Sequence, residues 1–180
     1  MTLLAWIGIL TLAAALPYAL RAWRKRMSLK TFEPLPEGSQ PRVKIELENG
    51  GVIEMELYPK DAPNHCAAFV DLARKGYYDG LSFHRVVEGF VVQGGCPKGN
   101  GSGGPGYRLK AEFNARPHLT GTLAMARTPD PDSAGSQFYI CLAPQPGLDR
   151  EYTVFGQVVE GMDRVAQIRP GDKMVRVSVD

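Results

Sequence analysis

The sequence predicts a mainly β domain, a barrel or a sandwich of short strands with two helices, preceded by one transmembrane helix. Three observations predict it. Short runs of alternating or β-branched residues recur from Val43 onward, with glycine and proline concentrated between them; many short strands and few helices suit a closed sheet or two packed layers. Helical signals occur in only two places in that part, residues 62–75 and 163–168. Ahead of them, residues 2–20 carry no charge, and an apolar run of about 18 or more residues reads as a membrane span.

The amino-terminal segment is read first. Trp6 near one end of the apolar run, and Tyr18 and Trp23 near the other, suit the aromatic belts of the two membrane interfaces. Arg21, Arg24, Lys25 and Arg26 follow it. A secretory signal peptide carries its charge ahead of the apolar run; Ala13-Ala14-Ala15 would offer a cleavage site, but the order of charge is reversed here. Residues 1–26 are therefore expected to be an uncleaved single-pass anchor, and the positive-inside rule puts the following domain on the cytoplasmic side. Export after signal cleavage is the alternative. Residues 27–41, MSLKTFEPLPEGSQP, read as a Pro-rich linker: Pro34, Pro36 and Pro41 break helix, and no apolar period is present. The linker is expected to hold the domain off the bilayer.

Residues 42–180 form the folded domain. Val43, Ile45 and Leu47 alternate with Lys44, Glu46 and Glu48; Asn49-Gly50 marks a turn; Ile53, Met55 and Leu57 then alternate with Glu54 and Glu56. This is a hairpin with one buried face, and its glutamates all fall on the solvated face rather than forming a pair of catalytic carboxylates. In residues 62–75, Asp61 is the expected N-cap, Pro63 sits in the first turn, and Cys66, Phe69, Val70 and Ala73 form the apolar stripe before Gly76. Residues 81–95, LSFHRVVEGFVVQGG, read as two strands around Glu88-Gly89. Alternation puts Phe83 and Arg85 on one face and His84 and Val86 on the other, with Val91 and Gln93 sharing a face. An arginine in so apolar a strand is either paired with an interior carboxylate or held for function. Residues 135–140, GSQFYI, are another aromatic strand, and Pro170 stops the helix at 163–168.

Composition excludes several chemistries. A chain of 180 residues with a net charge of +2 is one domain, and no basic patch interleaved with aromatics points to nucleic acid. Cys66, Cys96 and Cys141 are odd in number and form no CxxC, which reads as three reduced thiols in a reducing compartment. Residues 101–106 match GxGxxG, yet Pro105 and the strand-like Tyr107-Arg108-Leu109 stand where a dinucleotide site needs a helix. His65, His84 and His118 lie in unrelated settings with no metal or triad spacing, and His84 is expected to be a structural hydrogen bonder. No metal and no cofactor is expected.

Taken together, FHRVVEGFVVQGG, GTLAMAR at residues 121–127, GSQFYI, and YTVFG with VVEGM resemble the cyclophilin family of peptidyl-prolyl cis-trans isomerases. The motifs fall in family order and spacing across about residues 42–168. The resemblance implies a closed eight-stranded antiparallel barrel capped by two helices, a monomeric domain without a cofactor, and rotation about Xaa-Pro bonds of proline-containing polypeptides to assist their folding. Residue by residue, it makes Arg85 catalytic. It gives substrate contacts to Phe90, to Val91 at a position often held by methionine, and to Gln93. Ala126 and Arg127 fall in the backbone segment that pairs with the substrate chain. Gln137, Phe138 and Tyr139 match the segment after Gly-Ser, of which Gln137 and Phe138 are the expected contacts. Leu148 lines the proline pocket, and Tyr152 stands where histidine is common. Two departures stand out. Gly147 replaces the rim tryptophan, on which the family's cyclic-peptide inhibitor cyclosporin draws, and Arg127 replaces an asparagine. A catalytically idle proline-binding module in a membrane complex is the second reading; loss of Arg85 would favour it, and Arg85 is present.

Overall fold

The computed structural model of the chain describes residues 27–180. The predicted membrane helix and its basic flank lie outside the described residues; among those described, no helix is long and apolar enough to cross a membrane. The hairpin forms as its alternation requires. Strands β1 (Arg42–Leu47) and β2 (Val52–Leu57) pair antiparallel with Ile45 opposite Ile53. Val43, Ile45, Leu47, Ile53, Met55 and Leu57 are buried, and Gly50 takes a φ of 80° at the turn, a conformation that costs glycine little.

Helix α1 (Pro63–Arg74) carries the predicted stripe into the interior. The Phe69 ring stacks on Tyr78 at 4.8 Å and meets Phe155 at 5.4 Å and Phe138 at 5.5 Å. Its start differs from the expectation. Ala62, not Asp61, is the N-cap, and no side chain of the cap accepts a bond. Asp61 instead accepts from Arg116 Nε at 2.7 Å. The orphan N–H groups of the first turn are taken by a carboxylate far along the chain: Glu112 accepts from the Asn64 N–H at 3.0 Å and the His65 N–H at 2.9 Å. Helix α2 (Met162–Val165) is shorter than expected and ends in turns that reach Ile168.

The remaining strands are β3 (Arg85–Val87), β4 (Val91–Gly94), β5 (Thr122–Met125), β6 (Phe138–Cys141), β7 (Val154–Glu160) and β8 (Met174–Val179). All eight strands join in one antiparallel sheet in the order β3-β4-β6-β5-β7-β2-β1-β8, curled around the interior cluster. The expected closed barrel is corrected in one respect: no ladder joins β3 to β8. An isolated bridge, Ser82 to Lys173, joins the segments leading into them, with Phe83 N–H donating to Asp172 O at 2.9 Å and Gly171 N–H to Phe83 O at 2.9 Å. The same seam overturns the expected pairing of Phe83 with Arg85 on one face. Strand β3 begins only at Arg85, so two-residue alternation does not extend back through His84. Phe83 is buried inside, and Arg85 is exposed outside.

The linker also differs from its expectation of holding the domain away. Residues 28–35 lie on the domain as a strap. Leu29 bridges Arg108 in parallel, Asn64 Oδ1 accepts from the Phe32 N–H at 2.7 Å, and Phe32 meets Tyr107 at 5.4 Å. Phe32 and Leu35 pack against the core; two anchors on an existing apolar surface need no period in the segment that carries them.

Candidate active site

Register places the site. In the antiparallel ladders Arg85 faces Gln93, Gln93 faces Tyr139, and Tyr139 faces Ala124. Directly opposed residues share a sheet face, so these four side chains form one row across β3, β4, β6 and β5. The next row, Val86, Val92, Ile140 and Leu123, points inward. On the outer face a second apolar cluster gathers Val91, Ala124, Tyr139, Cys141 and Val154, with Phe90, Ala126, Leu148 and Tyr152 packed on it.

This face holds a cavity of about 230 Å³ lined by Arg85, Phe90, Val91, Gln93, Ala126, Arg127, Tyr139, Leu148 and Tyr152. Eight of the ten site residues expected from the sequence line it. Gln137 lies in an adjoining groove of about 220 Å³ that shares Gln93, Ala126 and Arg127 with the cavity. Gln137 Oε1 accepts from Gln93 Nε2 at 3.1 Å, and Gln137 Nε2 donates at 2.8 Å to the carbonyls of both Gly101 and Gly103. The glycine-rich loop thus fastens Gln137, and Gln137 fastens Gln93.

Phe138 is the exception. It is fully buried in the interior against Phe69, Tyr78 and Phe83, because it sits one residue out of phase with Gln93 and Gln137. Tyr139 supplies the aromatic wall in its place. The signal was present in the sequence: residues two apart share a strand face, so a site that takes Gln137 takes Tyr139 and rejects Phe138.

Arg85 is exposed, and its Cζ stands 5.8 Å from the Phe90 ring centroid. None of the ion pairs among the described residues includes it, so the interior-pair reading falls. Arg127 is different. Its Nε donates to Glu151 O at 2.9 Å, its Nη1 to Thr128 O at 3.0 Å, and its Cζ lies 4.6 Å from the Tyr152 centroid. That guanidinium is engaged in holding a loop and backing Tyr152. His84 is half-buried beside Arg85, and burial holds its pKa below the usual value. Burial likewise pushes the Cys66 and Cys141 thiols up to about 12, so neither is a thiolate near neutral pH.

An exposed, unpaired guanidinium beside an apolar cup, with a fixed amide opposite, offers hydrogen-bond donors and shape, with no nucleophile. Residues 42–179 match the family model described as cyclophilin type peptidyl-prolyl cis-trans isomerase/CLD. The chain belongs to the cyclophilin family. It is 49% identical over 137 residues to a peptidyl-prolyl cis-trans isomerase of Synechococcus elongatus, covering 75% of this chain and 93% of that one. It is 50% identical over 136 residues to peptidyl-prolyl cis-trans isomerase B of Bacillus subtilis, covering 74% and 94%. A crystal structure of a Cryptosporidium parvum cyclophilin superposes with a TM-score of 0.74 at 28% identity, covering 79% of this chain and 98% of that one. A second, determined in the presence of the dipeptide Ala-Pro, gives 0.72 at 28% identity, covering 77% and 98%. The protein is an enzyme, a cyclophilin-type peptidyl-prolyl cis-trans isomerase. On this cyclophilin Gly147, which the sequence leads one to expect in place of a rim tryptophan, lies in the 3-10 turn Pro146–Leu148, and a Cβ built there meets nothing within 4 Å.

Proposed function

We propose that this cyclophilin rotates Xaa-Pro bonds of polypeptides in the cup beneath Arg85, and that residues 1–26 hold it at a membrane, where it assists folding. The observation that carries the catalytic reading is the unpaired, exposed Arg85 at the mouth of the cup. Turning a prolyl amide costs about 18–20 kcal/mol because resonance must be broken. In the twisted state the prolyl nitrogen becomes pyramidal and gains a lone pair. The Arg85 guanidinium can donate a hydrogen bond to that nitrogen, and it stays charged at any working pH. It thereby favours the transition state over either ground state. Phe90, Val91, Tyr139 and Leu148 take the proline ring; Gln93 and the backbone at Ala126 and Arg127 hold the flanking chain. The related Cryptosporidium parvum structure determined in the presence of the dipeptide Ala-Pro supports a proline-containing substrate.

The membrane reading rests on the charge-free run 2–20 and the cationic cluster from Arg21 to Arg26. It places the domain on the cytoplasmic side. Magnetisation-exchange NMR on an Ala-Pro peptide, with the full chain in detergent micelles and chelator present, tests the catalytic half: accelerated exchange is expected, and none would leave an idle binder. Alkaline extraction with amino-terminal sequencing tests the anchor. Retention with Met1 or Thr2 first supports it, and a mature chain starting after Ala15 overturns it.

A further inference from the structure

The aromatic floor and one wall of the cup hang from a single buried imidazole. His118 is enclosed, with its Nδ1 2.9 Å from Asp149 Oδ1 and its Nε2 3.0 Å from Tyr139 Oη. Its backbone N–H donates to the same Asp149 oxygen at 2.7 Å. Asp149 directly follows the 3-10 turn that brings Leu148 to the cup, and Gln145, at the start of that turn, donates its N–H to His118 O at 2.8 Å. The proton positions follow from chemistry. An ionised carboxylate only accepts, so Nδ1 carries the proton facing Asp149; in the neutral ring Nε2 then accepts from the Tyr139 hydroxyl. The His118 backbone N–H and ring hold the Asp149 carboxyl below the usual carboxylate range, and burial raises the Tyr139 phenol, which stays a neutral donor. The two rings lie 16° from parallel, and Tyr152 meets Tyr139 edge-on at 82°.

We propose that His118 and Asp149 are positioning residues of this isomerase: the chain Asp149–His118–Tyr139 fixes the tilt of the Tyr139 ring and the seat of Leu148, and so sets how tightly the prolyl ring is held. The inference rests on the reading that proline binds in this cup. Neither His118 nor Asp149 lines the cup. Ring grip is the same in the ground and twisted states, so it contributes to KM, whereas Arg85 contributes to kcat.

NMR exchange and titration on an Ala-Pro peptide with the full chain in micelles separate these outcomes. Tyr139→Phe and Asp149→Ala are each expected to raise KM by roughly three- to tenfold, the effect of losing one hydrogen bond, with kcat per folded molecule within about twofold of the parent. Asp149→Asn keeps an acceptor oxygen for Nδ1 and should restore most of the KM lost in Asp149→Ala. The double variant Tyr139→Phe with Asp149→Ala should be no worse than the poorer single one, since the chain acts as a unit. Asp149 is partly exposed, so its variants remain informative if His118→Phe does not fold. Unchanged KM with a lowered melting temperature alone, or fully additive KM effects, would overturn the inference. Arg85→Ala in the same series keeps the two readings apart: if it leaves kcat intact and the peptide shifts no cup resonance, the site assignment itself has failed. If Arg85→Ala loses kcat while KM ignores His118, Asp149 and Tyr139, only the positioning role has.

Discussion

Phe138 and Tyr139 are adjacent aromatics in one short strand, and they do unrelated work. Phe138 fills the interior with no exposed surface, and Tyr139 shapes the pocket floor. Removing a fully buried phenylalanine costs about 3–5 kcal/mol through lost transfer energy and the cavity left behind. Phe138→Ala is therefore expected to destabilise by that amount in urea unfolding while the folded fraction binds peptide normally. Phe90→Ala should do the reverse, weakening binding with little loss of stability. A Phe138→Ala protein of normal stability with selectively weakened binding would return Phe138 to the pocket. The residue types of the site were legible in the sequence, since Arg85, Gln93 and Leu148 all reach it. The misplaced residue was a matter of phase: motif matching gives a segment, and only strand parity says which of two aromatics faces out. The partnership of Arg127 with Glu151 and Tyr152 was not legible, because it depends on where two loops meet.

At the scale of elements, α1 is capped from a distance. Burial disfavours the Glu112 carboxylate, but bonds from the His65 ring and the Asn64 and His65 N–H groups outweigh it and hold its pKa below the ordinary value. A depressed folded pKa contributes stability that is present above the ordinary carboxylate pKa and lost as pH falls through the lower folded value. Stability should thus decline in part through Glu112 as pH falls through and below the ordinary carboxylate range near pH 4.3. Glu112→Gln should flatten that decline in denaturation curves taken across that range, and an unchanged slope would remove Glu112 from the cause. No local pattern announces this cap; Asp61 looked the better candidate from spacing alone. The turn at Pro146–Leu148 carries a second consequence. Gly147 offers cyclosporin neither a ring nor an indole donor, so binding should be weak. The open space at its Cβ position admits a larger side chain. Gly147→Trp should regain about 0.5–1.5 kcal/mol from the hydrogen bond, more with ring contact, as read by calorimetry. Tight binding by the parent that tryptophan does not improve would show that this rim position is indifferent.

The whole molecule reads as a hairpin-led β domain from its sequence because alternation is local. Its seam and its strap do not, because Ser82 meets Lys173, and Leu29 meets Arg108, across long separations that leave no periodic trace. The curled sheet nevertheless converts local alternation into two separate apolar bodies, an interior that holds the fold and an outer cluster that forms the cup. That division lets the outer face carry an unpaired charge without unsettling the core. Arg85 is exposed, so its replacement should leave circular dichroism and melting unchanged. Isomerisation of an Ala-Pro peptide by Arg85→Ala, compared with the parent in NMR exchange, is the most direct measurement. Loss of one preorganised donor should lower kcat by roughly a hundred- to a thousandfold, or about 2.7–4 kcal/mol, and Arg85→Lys should recover little because an ammonium lacks the planar fork. Normal turnover by Arg85→Ala, with activity abolished instead by chelator or by Cys141→Ser, would contradict catalysis by a fixed guanidinium.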